Sequence, residues 1–112
     1  MVVYDGSALA QRALTIAARL VEGRGRHMIV LIPTDDEQTV ERIKCEVSER
    51  LKERDLMARY HVVPAPNAQR LARAIQTEPL GTLVLPADST ALSREAMIDL
   101  MNEIEVPILL VR

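Results

Sequence analysis

The sequence contains no phenylalanine and no tryptophan, so its interior must be built from Val, Ile, Leu, Met and Ala; apolar residues make up 48% of the chain. Small and branched aliphatic residues at that abundance suit helices packed on a sheet. The lone cysteine, Cys45, excludes an internal disulfide and any structural zinc site of several thiolates, and fits a reducing compartment. Glycine is scarce as well, with four in all and none after Gly81. No apolar run approaches the roughly 18 residues that a membrane-spanning helix needs. The first residues also lack the basic, then apolar, then small-residue pattern of a secretion signal. The expected location is the cytoplasm. Excess charge is missing too: the formal net charge is −2 with signs mixed throughout, which argues against nucleic acid and against a polybasic membrane patch.

What is present is a regular alternation of periods. With 112 residues the chain is the size of one domain, so residues 1–112 are read as a single unit, and any function needing two lobes must come from association. Met1 to Tyr4 is a short apolar run ending in Asp5-Gly6-Ser7, which suits a tight turn into a helix N-terminus. Over Ala8 to Glu22, Leu9, Ala13, Ile16, Ala17 and Leu20 recur on one face, widened by Ala10, Leu14 and Val21, so this helix is expected to pack deeply. Gly23 and Gly25 end it. His27 to Pro33 reads as a second strand, and Thr34-Asp35-Asp36-Glu37 as the cap and acidic first turn of a helix to about Arg54. That helix has a narrower stripe of Val40, Ile43, Val47 and Leu51.

Met57 to Val63 reads as a third strand, closed by Pro64 and Pro66, with Asn67 placed to cap a helix whose Leu71, Ala72 and Ile75 face inward. Leu83 to Leu85 is a short buried strand after Gly81, and Pro86 to Ser93 a loop. The last helix carries Met97, Leu100, Met101 and Ile104, and Pro107 introduces Ile108 to Val111 as the final strand. Alternating strands and helices imply right-handed crossovers. The expected fold class is therefore α/β, a three-layer sandwich with a five-stranded parallel sheet between helices. The first strand begins at Met1, short for a central strand, which leaves open a domain excised from a longer chain.

Several chemistries can be set aside. A phospho-acceptor receiver domain needs an Asp after the third strand and a Lys after the fifth, but His61 to Pro66 holds no Asp and the last strand ends at Arg112. Gly23-Arg24-Gly25 begins like a dinucleotide fingerprint but lies between a helix and a strand, the wrong context for a pyrophosphate. Neither His27 nor His61 has a second His or Cys at ligand spacing, so no metal is expected. Cys45 falls opposite the stripe of its helix and is expected to be exposed, with Glu41 and Glu49 disfavouring its thiolate. No nucleophile with a base and an orienting partner can be assembled, so no catalytic residue is named and the chain is not expected to be an enzyme.

Asp5-Gly6-Ser7 after an apolar strand, the amphipathic helix that follows, and the terminal Val106-Pro107-Ile108-Leu109-Leu110-Val111-Arg112 together resemble the universal stress protein family. The resemblance runs the full length and implies an adenine nucleotide alpha hydrolase-like sheet with strand order 3-2-1-4-5. In nucleotide-binding members, it implies, the Asp ending the first strand and the backbone after the second approach base and ribose. Those positions are Asp5 and Ile32, Pro33 and Thr34 here. Such members also carry Gly-x2-Gly-x9-Gly-Ser/Thr before the last helix, where small residues let backbone N–H groups wrap the phosphates. Counting back from Pro107 places Arg94-Glu95 at the Gly-Ser and Pro86 near the first glycine. A proline removes a donor and a carboxylate repels phosphate, so no nucleotide cofactor is expected.

The alternative is weak binding of ATP or AMP through Asp5 and the loop after the second strand, with Ser89, Thr90 and Ser93 near the last helix's N-terminus for an anion. The same serines and Asp5 read equally as turn and cap residues. With the glycine loop missing, the expected role is a stress-response regulatory module acting through association, as a homodimer or with a fused or separate protein partner. If the last strand is the sheet edge, Val106, Ile108, Leu109, Leu110 and Val111 form the interface. Nucleotide hydrolysis rests on fold analogy alone.

Overall fold

Apolar residues that alternate with a period of two along the strands give one sheet two inward faces, each with its own core. The computed structural model describes residues 1–21, 27–64, 67–77, 82–87 and 93–112. Along the chain run β1 (Val2–Val3), α1 (Ala8–Val21), β2 (His27–Ile32), α2 (Glu37–Lys52), β3 (Met57–Val62), α3 (Ala68–Thr77), β4 (Leu83–Pro86), α4 (Arg94–Glu103) and β5 (Ile108–Val111). The strands form a five-stranded sheet in the order β3-β2-β1-β4-β5. Every pairing is parallel, with Val3 beside Leu31, Val2 beside Val84, Ile32 beside Val62 and Pro86 beside Val111. The expected α/β sandwich and its strand order are both present. The loop glycines Gly23 and Gly25, and Glu22, Pro66, Gly81, Ser89 and Thr90, lie outside the described residues.

The order explains which face each helix covers. From β1 through β3 the chain adds strands in one direction, then crosses back to β4 and adds in the other; right-handed crossovers must therefore place α1 and α2 on one face and α3 and α4 on the opposite one. The first core joins Val2, Tyr4, Met28, Val30, Ile32, Val84 and Val111 to the buried faces of α1 and α2. The second joins Val3, Leu31, Leu83 and Leu85 to α3 and α4. The reversal of strand order falls between β1 and β4, the switch point where ligands settle in open α/β sheets.

Three expectations need correction. The buried centre of α1 is Ala10, Ala13, Leu14, Ala17 and Ala18, with Leu9 and Ile16 at its margin and Leu20 45% exposed. A helix lying across the middle strands approaches most closely with small side chains against the sheet, and its larger residues then fill the flanks. α2 stops at Lys52, short of Arg54. There the Leu56 amide donates to Leu51 and the Asp55 amide to Lys52, at 3.0 and 3.1 Å, while Asp55 takes a φ of 56°. This is a Schellman-type end with an aspartate in the left-handed position usually given to glycine. Pro86 belongs to β4 and is buried, so the loop starts after it.

Candidate functional site

The carboxyl ends of β2, β1 and β4 lie side by side and bring together most of the residues expected to meet a ligand. After β1, the Tyr4 amide still pairs with the Leu31 carbonyl at 2.9 Å, and the chain then turns at Asp5-Gly6-Ser7. Asp5 Oδ1 accepts from the Ser7 amide at 2.9 Å, and Ser7 Oγ accepts from the Ala10 amide at 3.1 Å, capping α1. Between them Gly6 has a φ of +86°, a conformation that side-chain-bearing residues rarely adopt. The sequence thus builds this turn from a carboxylate that holds the next helix's entry, a residue free to bend, and a cap.

After β2 the pattern repeats with other residues. The Ile32 carbonyl accepts from the Val63 amide at 2.8 Å and from the Thr34 amide at 3.1 Å, which occupies both of its lone pairs. Pro33 is buried and brings no N–H. Thr34 Oγ1 accepts from the Asp36 amide at 3.2 Å, and Asp36 Oδ1 accepts from the Gln38 amide at 3.3 Å as the N-cap of α2. The Thr39 hydroxyl also donates to Asp36. That bond, ahead of the backbone amides, holds the Asp36 carboxyl below the usual carboxylate range.

At the exit of β4, Pro86 lacks an N–H and the next amide, Ala87, donates to the Val111 carbonyl at 2.7 Å. Farther on, Ser93 Oγ accepts from the Ala96 amide at 3.1 Å and caps α4, whose first turn carries the exposed Glu95. These described residues do not fit a triphosphate: the donors nearest the strand exit are absent or occupied, and a carboxylate stands at the helix N-terminus. Asp5, Ile32, Pro33, Thr34, Pro86 and Ser93 therefore gather at one end of the sheet, and Asp5, Ile32, Thr34 and Ser93 each serve a local turn or cap there.

A partly buried polar linkage behind this edge was not anticipated from sequence. Tyr4, fully buried, donates through its hydroxyl to Glu46 Oε1 at 2.9 Å. Gln11 Nε2 donates to the same oxygen at 3.0 Å, and an Arg50 guanidinium nitrogen donates to Gln11 Oε1 at 3.0 Å. Burial, followed by the hydrogen bond and charge of Glu46, pushes the Tyr4 hydroxyl well above its ordinary pKa. The sequence signal was there: Glu46 immediately precedes Val47 of the α2 stripe, at the margin where a polar side chain reaches inward. Tyr60, on β3, donates to the Lys44 carbonyl at 3.0 Å and shares a hydrogen bond with Ser48 at 2.6 Å. The two tyrosines fasten α2 to β1 and β3.

At the far edge, β5 has a sheet neighbour on one side alone. The carbonyls of Pro107 and Val111 accept from Leu83 and Ala87, at 2.8 and 2.7 Å, so in a parallel pair these alternate residues turn their backbone groups to β4. Those of Ile108 and Leu110 turn outward. Of the expected interface residues, Val111 is buried in the first core, Val106 and Ile108 pack against the second, and Leu109 and Leu110 are 40% and 37% exposed. Cys45 is exposed, as expected. Among the described residues no helix is long and apolar enough to cross a membrane, and no group of His, Cys, Asp and Glu could hold a metal ion.

No family model matches the chain, and no curated protein sequence matches it. A solved structure does: a universal stress protein from Archaeoglobus fulgidus superposes with a TM-score of 0.73 over 99% of this chain and 91% of its own, at 14% identity. The fold is universal stress protein-like. At that identity the likeness speaks for the architecture, strand order included, and leaves the use of the site to the residues present.

Proposed function

We propose that this chain is a universal stress protein-like regulatory domain of the cytoplasm, serving a stress response by association through β5 and not by holding ATP. The reading rests on the Ala87 to Val111 hydrogen bond. That bond occupies the first amide at the exit of β4, where phosphates would need a donor, and it fixes the alternation that turns the Ile108 and Leu110 backbone outward beside exposed Leu109 and Leu110. A second copy presenting the same edge gives a two-fold pairing in which both chains use identical residues. No catalytic role is assigned to any residue.

Size-exclusion chromatography with light scattering tests this. The chain is expected to run as a dimer, and Leu110→Pro as a monomer, because the Leu110 amide points away from β4 and its loss spares the internal ladder. A wild-type monomer at high micromolar concentration would remove the homodimer. The alternative, adenine-nucleotide binding through Asp5 and residues Ile32 to Thr34, is favoured by their position at the switch point.

A further inference from the structure

We propose that α4 packs against its own copy when two chains pair along β5, so that the dimer holds an apolar core between the two helices and the joined sheet. This rests on the β5 pairing proposed above and names what covers it. β4 sets Leu83 beside Ile108, Val84 beside Leu109 and Leu85 beside Leu110. Leu83 and Leu85 belong to the second core and Val84 to the first, so Ile108 and Leu110 lie on the α4 face and Leu109 on the α1 face. The outward backbone groups of Ile108 and Leu110 allow three two-fold antiparallel registers. Centring on Leu110 sets Ile108 opposite Arg112, and centring on Ile108 draws in Val106 from the bend before Pro107. Centring on Leu109 sets Ile108 opposite the second copy's Leu110 and Leu109 opposite itself, apolar against apolar.

The helix above this seam has a matching flank. Met97, Leu100 and Ile104 point into the second core. At about 100° per residue, Ala96 and Glu103 then fall on one flank of α4 and Arg94, Ile98 and Met101 on the other. Gln76 of α3 donates to the Glu103 carbonyl at 3.3 Å, so the first flank meets α3 and the second overlooks the sheet edge. Ile98 is 49% exposed, Met101 is half-buried, and Leu110 on the strand beneath is 37% exposed.

Spacing and charge name the occupant. A right-handed crossover between neighbouring strands lays α4 over β4 and β5. With strands about 4.8 Å apart, a two-fold just outside β5 puts the two α4 axes about 10 Å apart, the separation of packed helices. α1 lies over β4 and β1, and the same operation holds its axis about 20 Å from its copy, too far to pack. The apolar cover therefore forms on the α4 face. The two helices run antiparallel, which brings Arg94, at the start of one, toward the end of the other, where Glu105 is exposed. Each chain thus meets opposite charge at both ends of the seam, and a second copy fits it.

Light scattering of the full chain across a dilution series tests this, with folding of each variant checked by urea denaturation. Ile98→Lys is expected to weaken the dimer by at least about tenfold, because both copies lose an apolar contact. Leu20→Lys, on exposed α1 surface, is expected to leave it unchanged. Arg94→Glu is expected to weaken it, and adding Glu105→Arg to restore it. With Cys45→Ser removing the native thiol, Ile98→Cys or Met101→Cys is expected to crosslink the copies under copper phenanthroline oxidation, and Asp99→Cys, turned from the seam, is not. A wild-type monomer would remove the β5 pairing and this contact with it. A dimer that Leu110→Pro splits, but that Ile98→Lys leaves intact and neither cysteine on the flank crosslinks, would keep the pairing and overturn the helix contact.

Discussion

Tyr4 and Glu46 meet at 2.9 Å, the phenol just after the sheet's middle strand donating to a carboxylate of α2. A buried phenol needs such a partner, and a hydrogen bond to a charged acceptor contributes about 1.5–3 kcal/mol. Tyr4→Phe keeps the ring and leaves Glu46 with Gln11, so a loss of about 1–2 kcal/mol is expected in urea denaturation. Tyr4→Ala also opens a cavity and is expected to cost about 3–5 kcal/mol.

The same contact sets the alkaline limit of stability. The folded chain holds the Tyr4 proton above the ordinary phenol range, chiefly through burial. From about pH 10 upward the unfolded chain releases that proton first, so the contribution is complete below this pH and declines as pH rises toward the folded value. Asp36 acts at the other end, because its folded pKa is lowered. Its contribution is present above about pH 4 and disappears as pH falls through the folded value. Urea denaturation across pH is expected to show a shallower alkaline decline in Tyr4→Phe and a shallower acid decline in Asp36→Asn.

Gly6 tests the first turn. A Cβ there would meet Ile43 Cγ1 at 3.9 Å, ordinary contact, so any cost comes from the φ of +86° and not from crowding. Gly6→Ala is expected to lose about 1–2 kcal/mol in thermal or urea unfolding, and Gly6→Asn less, since asparagine tolerates this region better.

Much of this architecture was legible in the sequence. The α2 stripe of Val40, Ile43, Val47 and Leu51, the Asn67 cap of α3 and the inward Leu71, Ala72 and Ile75 sit as their spacing implied. α1 misled because nearly all its apolar residues crowd half the circumference, and periodicity cannot say whether alanine or leucine faces the sheet. The end of α2 was overestimated because Asp55, not glycine, takes the positive φ. At the candidate site, Asp5 and Ser93 were readable as ligand contacts or as local acceptors, and only their geometry shows which amides they accept.

Ser93 separates cap from ligand contact. Ser93→Ala is expected to cost about 1 kcal/mol of stability in urea denaturation. Ser93→Asp keeps an acceptor for the Ala96 amide and is expected to retain most of that stability while adding charge that repels phosphate.

Isothermal calorimetry with ATP asks most directly whether the carboxyl end of the sheet seats a nucleotide. With Pro86 lacking a donor, the Ala87 amide bound to Val111 and Glu95 in the first turn of α4, no heat beyond dilution is expected. A saturating isotherm of micromolar affinity that vanishes in Asp5→Ala would contradict this and make the edge a working adenine-nucleotide site.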